Sequence, residues 1–204
     1  MAIVNSAYTQ RFESYFKSTN ERDWVVQIWD RAYVGGSSQD TFEITDNGLT
    51  IQFDSDGDEK FAPIVGSKAL LNFMVDYDSP GHASFIDDLL GLGTTYIEGD
   101  IFITIREGSI TGPLIFCGEY LQDLDTLPDV DGPFPIQLTF TDGIGKLKEI
   151  TFESLHVDTT AVEYKLQGHQ KFSYWIGQII QHTKFYKTQA NPDGFWDDAT
   201  NKGA

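Results

Sequence analysis

The sequence is poor in the residues and runs that mark secreted and membrane proteins. Cys117 is its only cysteine among 204 residues, which excludes a disulfide within the chain, and its apolar neighbours favour a place in the core. No segment approaches the roughly 18 consecutive apolar residues of a transmembrane helix, so we expect no membrane insertion. The start turns polar at Asn5, before the apolar core of a signal peptide. We therefore expect a protein that is made in the cytoplasm and stays soluble, or that joins a particle assembled there.

Basic residues are also scarce. Only 14 Lys and Arg stand against 31 Asp and Glu, which gives a formal net charge of -17. A surface of this sign repels phosphate backbones and anionic lipid, so nucleic-acid binding is disfavoured. The simplest interpretation of the charge is that it keeps an abundant protein soluble.

Sequence signals for a chemical site are weak. The four histidines, at positions 82, 156, 169 and 182, form neither HxxxH nor HExxH, so zinc has no support. The acidic run at 54–59 fails as a calcium loop, because Val65 stands where a bidentate glutamate is needed. Residues 143–146 lack the first glycine and the final Ser or Thr of a phosphate loop. We predict no catalytic residue, no metal and no cofactor.

The sequence is rich in segments that alternate with period two. Apolar residues fall on one face of residues 24–28, 49–53, 101–105 and 136–140. Turn signals such as those at 46–48 and 107–109 stand between the segments. This pattern is typical of half-buried antiparallel strands and predicts a mainly β fold, an antiparallel β-barrel or sandwich.

Two segments change to helical periodicity. A short helix is predicted after Ser84, which forms a capping box with Asp87, and it should end at Gly91 or Gly93. A longer amphipathic helix is predicted at residues 170–184, where one apolar stripe follows the spacing of a helix face.

The predicted organisation has three parts. Residues 1–165 form a β-rich domain, an amphipathic helix within 166–190 packs on it, and residues 191–204 form an acidic polar tail. The tail carries Phe195 and Trp196, which need a surface, and Lys184 and Lys187 end the long helix of an otherwise acidic chain. We predict that these four residues form an interface with a partner subunit.

Aromatic side chains raise an alternative function. Exposed rings would suit a carbohydrate-binding module for glycans of a host surface. The candidates are Trp24, Trp29, Tyr33, Tyr96, Tyr120 and Trp196. Because most of them lie within predicted strands, packing is the commoner role for such residues.

Three segments, taken in order, carry a family resemblance. They are GDEKFAPIVGS at 57–67, a segment at 99–121 that begins GDIFITI and ends FCGEYL, and PIQLTFTDGIGKLK at 135–148. Together they resemble the N-terminal region of tail-tip or baseplate hub proteins of Bacteroidetes phages and prophages. The resemblance implies that residues 1–165 are a tail hub-like domain of a non-enzymatic virion structural protein.

The same resemblance implies a place and partners. The protein would be located in the virion tail after assembly in the host cytoplasm, acting in assembly and as a platform for host-recognition proteins. Its partners would be other tail and baseplate proteins and further copies of itself, in a trimer or ring around the tail axis.

Overall fold

A computed structural model describes residues 3–31, 33, 40–54, 66–90, 99–121, 132–142 and 196–197. The chain divides into two compact units, Ser6–Asp142 in one and Met1–Asn5 with Gly143–Ala204 in the other. The predicted long helix lies outside the described residues. No helix among the residues described is long and apolar enough to cross a membrane.

The described elements are ten strands and one helix. In chain order they are β1 (Ile3–Val4), β2 (Thr9–Lys17), β3 (Asp23–Asp30), β4 (Asp40–Thr41), β5 (Glu43–Asp54), β6 (Gly66–Val75), α1 (Pro80–Leu89), β7 (Ile101–Glu107), β8 (Leu114–Leu121), β9 (Phe134–Thr141) and β10 (Trp196–Asp197). The mainly β prediction is therefore confirmed. In the smaller unit, β1 and β10 form an antiparallel pair in which Val4 stands opposite Trp196.

The larger unit is one nearly closed, barrel-like sheet. Its strand order is β4-β2-β3-β7-β8-β9-β6-β5, and every pairing is antiparallel except that of β4 with β2. Strands β4 and β5 lie at opposite ends of this order, yet only Phe42 separates them in the chain. The two edges of the sheet are thus joined by continuous backbone.

The parallel pair follows from the number of strands. With β4 and β5 counted as one continuous strand, the eight strands become a ring of seven. A ring with an odd number of strands cannot alternate direction throughout, so one neighbouring pair must be parallel. That pair has only two positions, Phe12 opposite Asp40 and Glu13 opposite Thr41.

Inward-facing side chains fill the ring. The predicted alternation of buried and more exposed residues is confirmed on β9, whereas β3 and β7 are buried on both faces, with Val25 and Phe102 buried as well. The residues of these three strands that belong to the core are Val26, Ile28, Ile101, Ile103, Ile105, Ile136, Leu138 and Phe140. Each such side chain contributes about 1.5–3 kcal/mol through burial. Phe53, predicted on the same face as Leu49 and Ile51, is instead 73% exposed near the end of β5.

Helix α1 begins earlier than the sequence predicted. Ser79 is its N-terminal cap residue and makes no side-chain capping bond, while Pro80 stands in the first turn. The predicted capping role of Ser84 was wrong, because proline fixes a helical φ and lacks the N–H that a cap would satisfy. The helix packs Phe85 and Ile86 into the core.

A bulge interrupts β5 where the sequence predicted a turn. Ile44 stands opposite Phe73 and Leu49 opposite Leu71, so four residues of β5 bulge opposite Asn72. A Cβ atom on Gly48 would lie 2.6 Å from the Asn72 carbonyl oxygen, which leaves room for glycine alone.

Candidate functional site: a buried arginine cluster and the barrel seam

A bulge in β2 brings Arg11 inside the molecule. The register shifts between Gln10, opposite Trp29, and Phe12, opposite Ile28. Such a bulge re-aims the intervening side chain, and Arg11 is only 2% exposed. Its Nη1 lies 2.7 Å from Asp30 Oδ2 and 3.0 Å from Asp88 Oδ2.

Arg11 also contacts α1 and residue 33. Its Nη2 donates a hydrogen bond to Ser84 Oγ at 3.0 Å, and its Cζ lies 4.6 Å from the ring centroid of Tyr33 and 4.9 Å from that of Phe85. Asp30 accepts a further hydrogen bond from the Tyr33 N–H at 3.1 Å. One guanidinium therefore connects β2, β3 and the helix through ion pairs and cation–π contacts.

A second ion pair follows directly in the chain. Arg31 Nε lies 2.8 Å from Asp100 Oδ1, and the Arg31 N–H donates to the Asp100 carbonyl oxygen at 2.9 Å. Nearby, the Tyr8 hydroxyl donates to the Gly99 carbonyl oxygen at 2.7 Å. The end of β3 and the residues that enter β7 thus meet through paired charges, which is the pattern of structural ion pairs.

A chain of polar side chains crosses the outward faces of β2, β3 and β7. Trp29 Nε1 donates to Thr104 Oγ1 at 3.1 Å, and Thr104 donates to Gln27 Oε1 at 3.2 Å. Gln27 Nε2 donates to Glu13 Oε2 at 2.8 Å, and the Tyr15 hydroxyl donates to Glu13 Oε1 at 2.7 Å. This last hydrogen bond, to a carboxylate, raises the pKa of Tyr15 above its ordinary value.

An open groove runs along the seam between β2 and β5. Its volume is about 510 Å³, and its lining residues are Ser14, Tyr15, Phe16, Thr41, Phe42, Glu43, Ile44, Met74, Asp76, His82 and Pro133. The size is within the range of about 300–1,000 Å³ that ligand pockets occupy. Among these lining residues, Glu43 and Asp76 are acidic and none is a lysine or arginine.

His82 connects the helix to both sides of this groove. Its Nδ1 accepts the Asp76 N–H at 3.1 Å, so the neutral ring carries its proton on Nε2, which lies 3.2 Å from the Thr41 carbonyl oxygen. The ring also packs against Phe12, with centroids 5.6 Å apart. His82 therefore fixes β4, the closing strand, to the end of β6.

The aromatic residues proposed for sugar binding are mostly packed. Trp24 packs against the core, Trp29 bonds Thr104, Tyr33 stacks on Arg11, and Tyr120 is buried. Tyr96 and the Trp196 side chain lie outside the described residues. Among the described residues, the exposed rings are others: Tyr15, Phe53 and Tyr77, at 62%, 73% and 43%.

The remaining predicted residues have separate outcomes. Lys184, Lys187 and Phe195 lie outside the described residues, and the backbone of Trp196 pairs with β1. Cys117 was predicted in the core but is half-buried on β8, where it stands opposite Thr104. The described ranges contain no group of three His, Cys, Asp or Glu side chains that could hold a metal ion.

The sequence reasoning missed the Arg11 cluster and the seam. One signal for Arg11 was available, since it stands between Gln10 and Phe12 in a strand rich in aromatic residues, where an arginine can stack. No family model, no curated protein and no solved structure matches this chain.

Proposed function

We propose that this chain is a non-enzymatic structural protein of a virion, located in the tail tip or baseplate of a phage. It acts in assembly and as a platform for host-recognition proteins, with other tail and baseplate proteins and further copies of itself, in a trimer or ring, as partners. The three segments that resemble tail hub proteins support the phage context. The geometry supports a structural role independently of that context.

The observation that carries the structural role is the pairing of the buried charges. Catalytic sites combine an ionisable group with a cavity that admits substrate. Here Arg11 and Asp30 are 2% and 0% exposed and contact each other. In the groove, both ring nitrogens of His82 contact backbone atoms, which leaves neither one facing a substrate. These groups stabilise the fold instead of reacting.

The hairpin between β7 and β8 supports a role in assembly. Ile110, Leu114 and Ile115 are 50%, 41% and 46% exposed and lie within six residues of one another. Clustered exposed aliphatic side chains mark surfaces that contact other proteins. This hairpin is therefore the described surface best suited to subunit contact.

The test is to find the protein in particles and then to alter the hairpin. Immunogold labelling and mass spectrometry of purified virions should detect the chain in the tail. Ile115→Lys should reduce its incorporation while the melting temperature of the isolated protein stays unchanged. Thr111→Lys, at an exposed polar position of the same hairpin, is the matched control and should incorporate normally. Absence of the protein from purified particles would refute the proposal.

The carbohydrate-binding alternative has weaker support. Of its six candidate aromatic residues, the four whose side chains are described are packed or hydrogen-bonded. A glycan array with the purified chain should therefore give no specific signal. Saturable binding that Tyr15→Ala abolishes would favour the alternative.

A further inference from the structure

Among the strands that the structure describes in the barrel, the seam has the fewest paired positions. Strands β2 and β4 pair only at Phe12 and Glu13. Beyond that point, and counting only described strands, residues 14–17 pair with β3 alone and residues 43–44 pair with β6 alone. The groove lies between these two stretches, so the seam-side edges of both strands line it.

The direction of the two strands determines what fits between them. Strands β2 and β5 run parallel, since β4 is parallel to β2 and continues into β5. A strand inserted between them and antiparallel to both would make a ring of eight in which every inserted pairing is antiparallel. Antiparallel pairing is slightly more stable per residue than parallel pairing. We propose that the seam receives an extended segment of a partner protein as this additional strand.

The lining of the groove specifies the side chains of that segment. Phe42 is part of the core, and Phe16 and Ile44 pack against it, whereas Tyr15 and Glu43 are exposed. An incoming strand must therefore alternate apolar residues, facing the core, with polar residues facing solvent.

The charge of the groove indicates basic polar residues in the partner. Glu43 and Asp76 line the groove, and the carboxylate of Glu13 accepts a hydrogen bond from the lining residue Tyr15. The whole chain has a net charge of -17, so a second copy is a poorly matched occupant. The occupant is a strand of alternating apolar and basic residues from a different protein. This inference rests on the proposed assembly role and deepens it by naming the partner's chemistry.

The first experiment offers the isolated protein a probe of this chemistry. The probe is an acetylated and amidated octapeptide of alternating valine and lysine. It should bind one to one in calorimetry with a Kd of about 1 mM or tighter. Hydrogen exchange should slow in residues 14–17 and 42–44. The same peptide N-methylated at alternate residues, which removes strand donors, should bind at least about tenfold more weakly.

Matched variants test the charge. Glu43→Lys should weaken binding of the octapeptide about tenfold, whereas Glu21→Lys, the same change at an exposed acid in the β2–β3 turn, should alter it by less than about twofold. The proposal is overturned by the absence of binding, by equal binding of the N-methylated peptide, or by equal effects of the two variants. If the hydrogen-exchange protection of residues 14–17 increases with protein concentration in the absence of peptide, the occupant of the seam is a second copy. That result would also overturn the proposal.

These outcomes are independent of the particle. The peptide experiments use the isolated chain, so their failure leaves detection of the protein in virions untouched. Conversely, peptide binding by a protein that is absent from virions would refute the tail assignment and retain the strand-receiving seam.

Discussion

Arg11 and Asp30 form a buried ion pair at 2.7 Å, on neighbouring strands and beside a β-bulge. The pair attaches the end of the barrel to helix α1, because Asp88 and Ser84 of the helix bind the same guanidinium. The stability of this cluster therefore depends on the guanidinium and its three partners on β3 and α1 being present together.

Removal of the Arg11 charge should destabilise the fold strongly. Arg11→Met leaves Asp30 buried without this cation, and we expect a loss of about 3–5 kcal/mol in the free energy of unfolding measured with urea. The control is Arg22→Met, because Arg22 is 63% exposed and pairs with Glu107 at the surface. It should change stability by less than about 1 kcal/mol. Equal losses in the two variants would contradict a structural role for Arg11.

The contact between Phe85 and Phe12 should hold the helix on the barrel. Their ring centroids are 4.9 Å apart, and both side chains are fully buried. Phe85→Ala should cost about 3–5 kcal/mol in thermal or urea unfolding, because the lost contacts leave a cavity. Ile110→Ala, at a half-exposed position, should cost less than about 1 kcal/mol. A loss below that limit for Phe85→Ala would show that the helix is not packed as described.

The bulge in β5 should reject any side chain at Gly48. Gly48→Ala forces a Cβ atom against the Asn72 carbonyl oxygen, and we expect a loss of about 1–3 kcal/mol. Gly108 offers a contrast, because a Cβ atom there meets nothing within 4 Å and its φ is +82°. Gly108→Asn should therefore cost less, since asparagine tolerates positive φ. The reverse order in urea unfolding would contradict the bulge.

The hydroxyl of Tyr15 should titrate above its ordinary pKa of 10.0, chiefly because it donates to Glu13. The raised pKa favours the neutral phenol in the folded state. The hydrogen bond from Tyr15 therefore contributes to the free energy of unfolding below pH 10. This contribution is lost as the pH rises through the folded-state pKa of Tyr15. In an NMR titration of the ring signals, Glu13→Gln should lower the pKa of Tyr15.

Tyr77 is the internal control for that titration. Its pKa is also raised, first by burial and then by Asp87, so Glu13→Gln should leave it unchanged. A parallel decrease at both tyrosines would contradict the assigned cause.

The sequence predicted the parts of the fold that depend on local alternation. Val26, Ile28 and Ile103 were assigned to the correct face because a regular strand presents every second residue to the core. Period two fails at Arg11, where the bulge shifts the register. The acids that bind Arg11 stand 19 and 77 positions away, beyond the reach of any local pattern.

The helix start and the seam were missed for different reasons. Ser84 and Asp87 satisfy a capping pattern that Pro80 overrides by beginning the helix earlier. The seam depends on the strand number of the whole ring, which no single segment contains. The seam forms because β4 and β5 are one strand interrupted at Phe42, which joins the two ends of the strand order.

The strand order also has a consequence during synthesis on the ribosome. Strand β3 ends at Asp30, but its second neighbour β7 begins at Ile101, 71 residues later. At a translation rate of about 5–20 residues per second, synthesis of β7 begins roughly 4–14 seconds after synthesis of β3 ends. Over this interval the nascent β2–β3 hairpin presents Val26, Ile28 and an unpaired edge to solvent, and such a segment is one that a chaperone would protect.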